Sequence, residues 1–227
     1  MTVCRSFLIV ALLFVSNSVI ASEDEQVDRG WYSIEEVMPS AEQGDPAAQS
    51  YLGLLYKLGQ GVLQNKTKAI EWYTKAAEQG DVNAQVSLGR MYTSGEGAPR
   101  NDNIAAMWFT KAAKQEDIFG QQTLGIMYLT GRGVAKDERE AAKWLTKAAK
   151  QGDPTAQKFL GYLYGSGSGV LKNYVKAYMW LNLAAYNSQG SKGSSERESI
   201  SKSLTPAQIV QAQEMSAVCL QSGYTDC

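Results

Sequence analysis

The chain contains no histidine in its 227 residues. That absence removes the commonest general base, every His-based nucleophilic triad and the His-ligated metal motifs together. Chemistry based on Asp, Glu, Lys, Tyr or Cys stays open. No sign of charge dominates: 22 basic residues stand against 23 acidic ones, a formal net charge of −1. Such a balance supplies no broad field for nucleic acid or for an anionic membrane. Cysteine is confined to Cys4, Cys219 and Cys227, and a two-cysteine metal site would need more ligands than the C-terminal segment supplies. After residue 21 no apolar stretch approaches the roughly 20 residues that span a bilayer. The chain beyond that point is therefore expected to be soluble.

The first 21 residues are different. Arg5 gives a short basic start, Phe7 to Val15 is an apolar run, and Ser18-Val19-Ile20-Ala21 offers small residues at the positions a signal peptidase reads. This is the pattern of a secretory signal with cleavage near Ala21. Ser16, Asn17 and Ser18 interrupt it too early for a membrane anchor. Cys4 precedes the apolar run and is not placed like a lipid-bearing cysteine. A periplasmic or secreted location is the expectation. In such an oxidising compartment Cys219 and Cys227 read first as a disulfide, with Gly223 letting the chain turn back between them. A free reactive thiol and an intermolecular bridge are the alternatives.

What the chain does contain is a repeat. The stretch 41–76 returns at 77–112, 113–148 and 149–184, an offset of 36 residues without insertion or deletion. Gln43, Asp45, Gln49, Leu52, Gly53, Tyr56, Gly59, Gly61, Trp72, Lys75 and Ala76 each recur in at least three copies. A fixed period of this length marks a solenoid, in which each unit buries its apolar face only against its neighbours.

Each unit reads as a helix pair. Asp45, Asp81, Asp117 and Asp153 are N-caps, with Pro46 and Pro154 at first helical positions. Ala48, Leu52, Leu55 and Tyr56 form an amphipathic stripe, and Gly59 and Gly61 end the helix. Asn65, Asn101, Asp137 and Asn173 cap the second helices. Their stripe is Ala69, Trp72, Tyr73 and Ala76, which predicts that Trp72, Trp108, Trp144 and Trp180 all lie in the core. In the third unit Glu116 and Gly120 replace the usual glycine and alanine, which predicts a softer or differently angled joint after the second unit.

The ends depart from the period. Residues 22–40 form an N-terminal capping segment, with a capping box at Ser33 and Glu36 and a helix that Pro39 shortens or kinks. After Ala184 the period is lost; residues 185–204 give a linker and short helix, Gly/Ser-rich from Asn187 to Ser195. Thr205 and Pro206 open a C-terminal capping helix within 205–227, carrying the cysteine pair.

The pattern AEQGDxxAQxxLGxxYxxGxGVxxNxxxAxxWYxKA resembles that of Sel1-like repeats, a branch of the TPR-like α/α solenoids, over residues 41–184. The resemblance implies an all-α, right-handed superhelix of antiparallel helix pairs with a concave surface that binds other proteins. A cysteine-rich subgroup of the family is linked with penicillin binding and β-lactamase activity. Its paired cysteines lie inside the repeats, where this chain has none, so that activity is not carried over.

Recognition is expected where the copies disagree. Offsets 47, 51, 54 and 58 share one face of the first helices. Through the four units that face offers Tyr51, Leu54 and Leu58, then Arg90, then Phe119 and Ile126, then Phe159 and Tyr162. Aromatic residues with an arginine among them are common interface hot spots. Packing on neighbouring units is the competing use. The resulting expectation is a non-catalytic protein-binding scaffold or regulator of the bacterial envelope, with a protein or peptide partner and no cofactor, metal or nucleic acid.

Two alternatives belong to other classes. Twelve tyrosines and five tryptophans could serve a peptidoglycan- or carbohydrate-binding module. A β-lactamase-like hydrolase would have to use the S-x-x-K match from Ser199 to Lys202, but Lys192-Gly193-Ser194 precedes it in reversed order and no S-D-N element exists. The four G-x-G triplets are not followed by G-K-[ST] and read as helix-ending turns. Asn65-Lys66-Thr67 matches a glycosylation sequon on a helix cap.

Overall fold

The computed structural model describes residues 33–189 and 194–227. The expected signal segment, Cys4, the start of the N-terminal capping segment and residues 190–193 of the expected linker lie outside them. Among the described residues there are eleven α-helices and no strand. A lone helix α1 (Ile34–Glu42) precedes four antiparallel pairs: α2 (Pro46–Leu58) with α3 (Lys66–Glu78), α4 (Val82–Ser94) with α5 (Asp102–Lys114), α6 (Ile118–Thr130) with α7 (Glu138–Ala149), and α8 (Pro154–Ser166) with α9 (Tyr174–Asn187). Then come α10 (Ser194–Ser201) and α11 (Pro206–Gln221). From α1 to α10 each helix packs mainly on its sequence neighbours, and α11 packs on α9, so the architecture is an α/α solenoid.

The caps form as the residue types require. The carboxylates of Asp45, Asp81, Asp117 and Asp153 accept backbone N–H bonds at the starts of α2, α4, α6 and α8. Asn65, Asn101, Asp137 and Asn173 do the same for α3, α5, α7 and α9. Ser33 and Glu36 complete a capping box on α1, and Thr205 with Gln208 completes another on α11. Helix α1 continues three residues past Pro39 to Glu42, so the proline does not end it. Val37 and Ala41 of α1 are buried, which gives this helix the role of a second helix for the unit that follows.

The interior is built by the recurring residues, including some whose part is visible only in three dimensions. Gly53, Gly89, Gly125 and Gly161 leave room for Tyr73, Phe109, Leu145 and Leu181; a Cβ at any of them would collide with that side chain. The second glycine of each later G-x-G triplet does more than end a helix. Gly97, Gly133 and Gly169 sit with positive φ against the backbone of Lys66, Asp102 and Glu138, at the first turn of the preceding unit's second helix. Only a residue lacking Cβ allows two backbones to approach in this way.

A row of amides ties the units together. Gln49, Gln85, Gln121 and Gln157 are buried, and each donates from Nε2 to a carbonyl of the preceding helix: Ala41, Ala77, Ala113 and Ala149, at 3.0–3.3 Å. Each Oε1 accepts from Gln79, Gln115, Gln151 or Asn187 at the end of its own unit's second helix, at 2.7–3.0 Å. Those four amides also donate to the carbonyls of Gly44, Gly80, Glu116 and Gly152. One buried glutamine thus joins three helices. Buried amides are tolerated because their hydrogen-bonding groups are matched, and no buried side-chain N or O among the described residues lacks a partner.

Three expectations need correction. Trp108, Trp144 and Trp180 are buried, but Trp72 is only half-buried, with the Lys75 ammonium 4.0 Å above its ring. Trp108 joins a core made by α3 of the preceding unit and α4 of its own, whereas among the described residues only the lone helix α1 precedes the unit of Trp72. The period does not end at Ala184: α9 runs to Asn187, which occupies the fourth amide position. The Glu116 joint also keeps the common geometry. Glu116 takes φ +66°, its carbonyl accepts from Gln151 like the glycines at the other joints, and Gly120 lets α6 approach Ala112 and Ala113.

Cys219, in the last turn of α11, and Cys227 beyond it are brought together with their Cα atoms 4.9 Å apart, within disulfide range. Between them Tyr224 takes φ +69°, lays its ring beside Gly152 and donates its O–H to Asn187 Oδ1 at 2.8 Å. The C-terminal loop therefore closes the last rung of the amide row.

Candidate functional site

The first helices α2, α4, α6 and α8 present one non-repeating face. Of the eight residues expected there, Leu58 and Tyr162 are the most accessible, at 49% and 42%. The other six are half-buried. Leu54 packs against the core shared by α3 and α4, between the first and second units. Ile126 and Phe159 pack against the core of the fourth unit. Tyr51 is partly covered and has a partner of its own.

Arg90 and Phe119 form one element rather than two. The guanidinium carbon lies 4.2 Å above the Phe119 ring, across the joint between the second and third units. Phe119 in turn meets Phe109 with ring centroids 5.9 Å apart. The arginine is attracted to the face of the ring by its quadrupole. The face thus combines interlocked side chains with an accessible outer layer, which is how a packed surface can also serve as an interface.

At the fourth unit the face carries a polar knot. Lys158 Nζ lies 2.8 Å from Glu196 Oε1 of α10, and the Tyr162 phenol donates to the same oxygen at 2.5 Å. These bonds hold the Glu196 carboxylate well below its ordinary range, at about 2; the bond to Glu196 pushes Lys158 up, and burial, then the same carboxylate, pushes the Tyr162 phenol up. The Phe159 and Tyr162 rings meet edge to face, 6.3 Å apart. On the other side of α10, Arg197 donates to Asn182 Oδ1 on α9 at 2.8 Å. An open cleft of about 520 Å³ lies there, lined by Tyr178, Ser195, Arg197, Glu198 and Ser201.

A second charged cluster stands at the connections from α4 to α5 and from α6 to α7. Asp102 accepts from Arg100 and from Arg132 of the next unit, and the two guanidiniums lower its carboxyl to about 2. It joins consecutive units. Leu63 and Leu171 stand almost fully exposed on equivalent loops of the first and fourth units.

The residues weighed for other chemistry are scattered. Ser199 and Lys202 are exposed on and just after α10, and Lys192 and Gly193 lie outside the described residues. Three of the four repeat tryptophans are internal and so are not platforms for sugar rings. No group of three or more His, Cys, Asp or Glu side chains that could hold a metal occurs among the described residues. No helix among them is long and apolar enough to cross a membrane.

Sequence reasoning missed the contact of α10 with this face, the amide row and the role of Tyr224. The recurrence of Gln43 and Gln49 was a visible signal for the row, since buried glutamine needs fixed partners. Glu196 repeats nowhere and gave no such signal.

Comparison with known proteins bears on the same residues. The Sel1 repeat family matches four segments, 46–81, 82–117, 120–153 and 154–188. These are the observed helix pairs, and the last includes Asn187. Among solved structures, that of c5321, a protective antigen of uropathogenic Escherichia coli strains displaying an SLR fold, aligns at 39% identity with a TM-score of 0.74. The alignment covers 84% of this chain and 42% of that one. A Sel1 repeat protein from Oxalobacter formigenes aligns at 37% identity with a TM-score of 0.65, covering 67% of this chain and 63% of that one. The chain therefore spans less than two thirds of either relative. No curated protein matches it by sequence.

Proposed function

The chain belongs to the Sel1 repeat family, and from that premise we propose that it is a non-catalytic scaffold or regulator of the bacterial envelope. It holds a protein or peptide partner on the face of its first helices. Proteins built of Sel1 repeats generally serve as protein-interaction scaffolds. The observation that carries the reading is the non-repeating layer of that face: Leu58 and Tyr162 are exposed and the Arg90–Phe119 stack is half-buried between them, and none of the four is required by the repeat. Exposed leucine and tyrosine beside a stacked arginine are the kind of residues that interfaces use. Export follows from the leader-like first 21 residues. The similarity to a protective antigen accords with it. In the oxidising envelope, Cys219 and Cys227 form an intramolecular disulfide.

Site-specific photo-crosslinking tests the assignment. A crosslinker at Leu58 should yield a discrete protein adduct in intact cells, and one at Glu71, exposed on second helix α3, should not. Equal labelling from both positions, or none from Leu58, overturns the face assignment. Hydrolysis of a chromogenic β-lactam by the purified chain would overturn the non-catalytic reading.

A further inference from the structure

Part of the proposed binding face is already occupied. Helix α10 lies across the fourth unit and touches α8 through two side chains one helical turn apart. Glu196 meets Lys158 and Tyr162, and its other oxygen accepts from Ser195 at 2.9 Å. Ile200, at i+4, reaches Gly165, where its Cδ1 would lie 3.1 Å from a Cβ. Positions i and i+4 share one helix face, so Glu196 and Ile200 act as a pair.

The receiving residues belong to the fourth unit alone. At the offset of Lys158 the other units carry Ser50, Val86 and Gln122; at that of Gly165 they carry Lys57, Thr93 and Leu129. Construction of the repeat therefore does not account for them. End-capping falls mainly to α11, which closes the core with buried Ala212, Ser216 and Cys219, while Ile200 of α10 only flanks that core. None of the described side chains of α10 is fully buried. The helix rests on α9, where Arg197 donates to Asn182, and reaches α8 through the Glu196 carboxylate and the Ile200 side chain, which packs against the core of the fourth unit.

We infer that the fourth unit carries a binding site for a helical segment presenting a carboxylate and an aliphatic side chain one turn apart, Glu-x-x-x-Ile/Leu, and that α10 fills this site in cis. The inference rests on the reading of the first-helix face as a protein-binding surface and adds the chemistry of the ligand. Lys158 and Tyr162 take the carboxylate, and the notch at Gly165 takes the aliphatic group. A partner helix with the same pair displaces α10 and gains the Phe159–Tyr162 edge. A tethered segment competes at an effective concentration of order millimolar, so α10 sets a threshold that only a better-fitting partner passes.

The test uses the chain from residue 22 onward with the substitutions Glu196→Ala and Ile200→Ala, and a fluorescein-labelled peptide of residues 194–204 followed by anisotropy. Saturable binding is expected, about tenfold or more tighter than to the unsubstituted chain. Adding Lys158→Met, or placing Gln at peptide position 196, should weaken it by about tenfold. If the substituted chain keeps its helicity and melting cooperativity but shows no saturable binding, the inference is overturned. Should that chain not fold, hydrogen exchange of residues 195–201 in the unsubstituted chain decides: peptide excess must accelerate it, and unchanged exchange overturns the inference. A crosslink from Leu58 alongside absent peptide binding removes this inference and leaves the scaffold reading in place. Absence of both removes the two together.

Discussion

Trp72 and Trp180 stand at the same offset of the first and fourth repeats, yet Trp72 is half-buried and Trp180 is 2% exposed. The first unit has a lone helix before it, and its face keeps Leu58 open to solvent. The fourth unit is covered by α10, closed by α11, and its last amide is bonded to Tyr224. One sequence pattern therefore has two energetic meanings. In a quasi-one-dimensional fold, a residue's contribution is set by whether a neighbouring unit is present to receive it.

The largest expected effect tests this directly. Trp180→Ala should lower unfolding stability by about 3–5 kcal/mol, the range for truncating a buried aromatic. Trp72→Ala should lower it by only about 1 kcal/mol, since much of its surface already meets water. Urea denaturation of both variants gives the comparison, and equal losses would break it. A smaller difference separates the two ends under reduction. Cys219→Ser should cost about 2–3 kcal/mol for so short a loop; addition of reductant should destabilise the unsubstituted chain similarly and leave the variant unchanged. No effect of reductant would mean that the cysteines do not pair.

The smallest effect concerns acid. The Glu196 carboxyl is lowered from its ordinary 4.5 to about 2 by the Lys158 and Tyr162 hydrogen bonds. A carboxylate lowered in the folded state contributes stability above its unfolded value, and that contribution is lost as pH falls through the folded one. Docking of α10 should thus hold at neutral pH and weaken from about 4.5 toward 2. Hydrogen exchange in α10 should rise across that window while exchange in α2 does not follow it. Glu196→Gln should abolish the pH dependence. A variant with the same profile would assign the transition to another carboxylate, Asp102 first among them.

Much of this molecule was legible because its code is local and repeated. An Asp or Asn before an apolar stripe caps a helix wherever it stands, and all eight repeat caps formed where their residue types predicted. Gln49 and Gly53 were visible as recurring residues without a visible purpose. Their partners, Ala41 and Tyr73, lie on other helices, and no local rule points across that gap. The face residues were partly legible: their failure to repeat freed them from the common core, but which of them pack and which stay open depends on particular neighbours.

By itself, the sequence determined the helix pairs, their period and their order, since capping, helical amphipathicity and glycine conformation act over a few residues. The fit of Arg90 on Phe119 across a joint, the exposure of Trp72 and the seating of Glu196 between Lys158 and Tyr162 were decided only by the tertiary structure. Each depends on groups that are distant in sequence and meet only when the units stack.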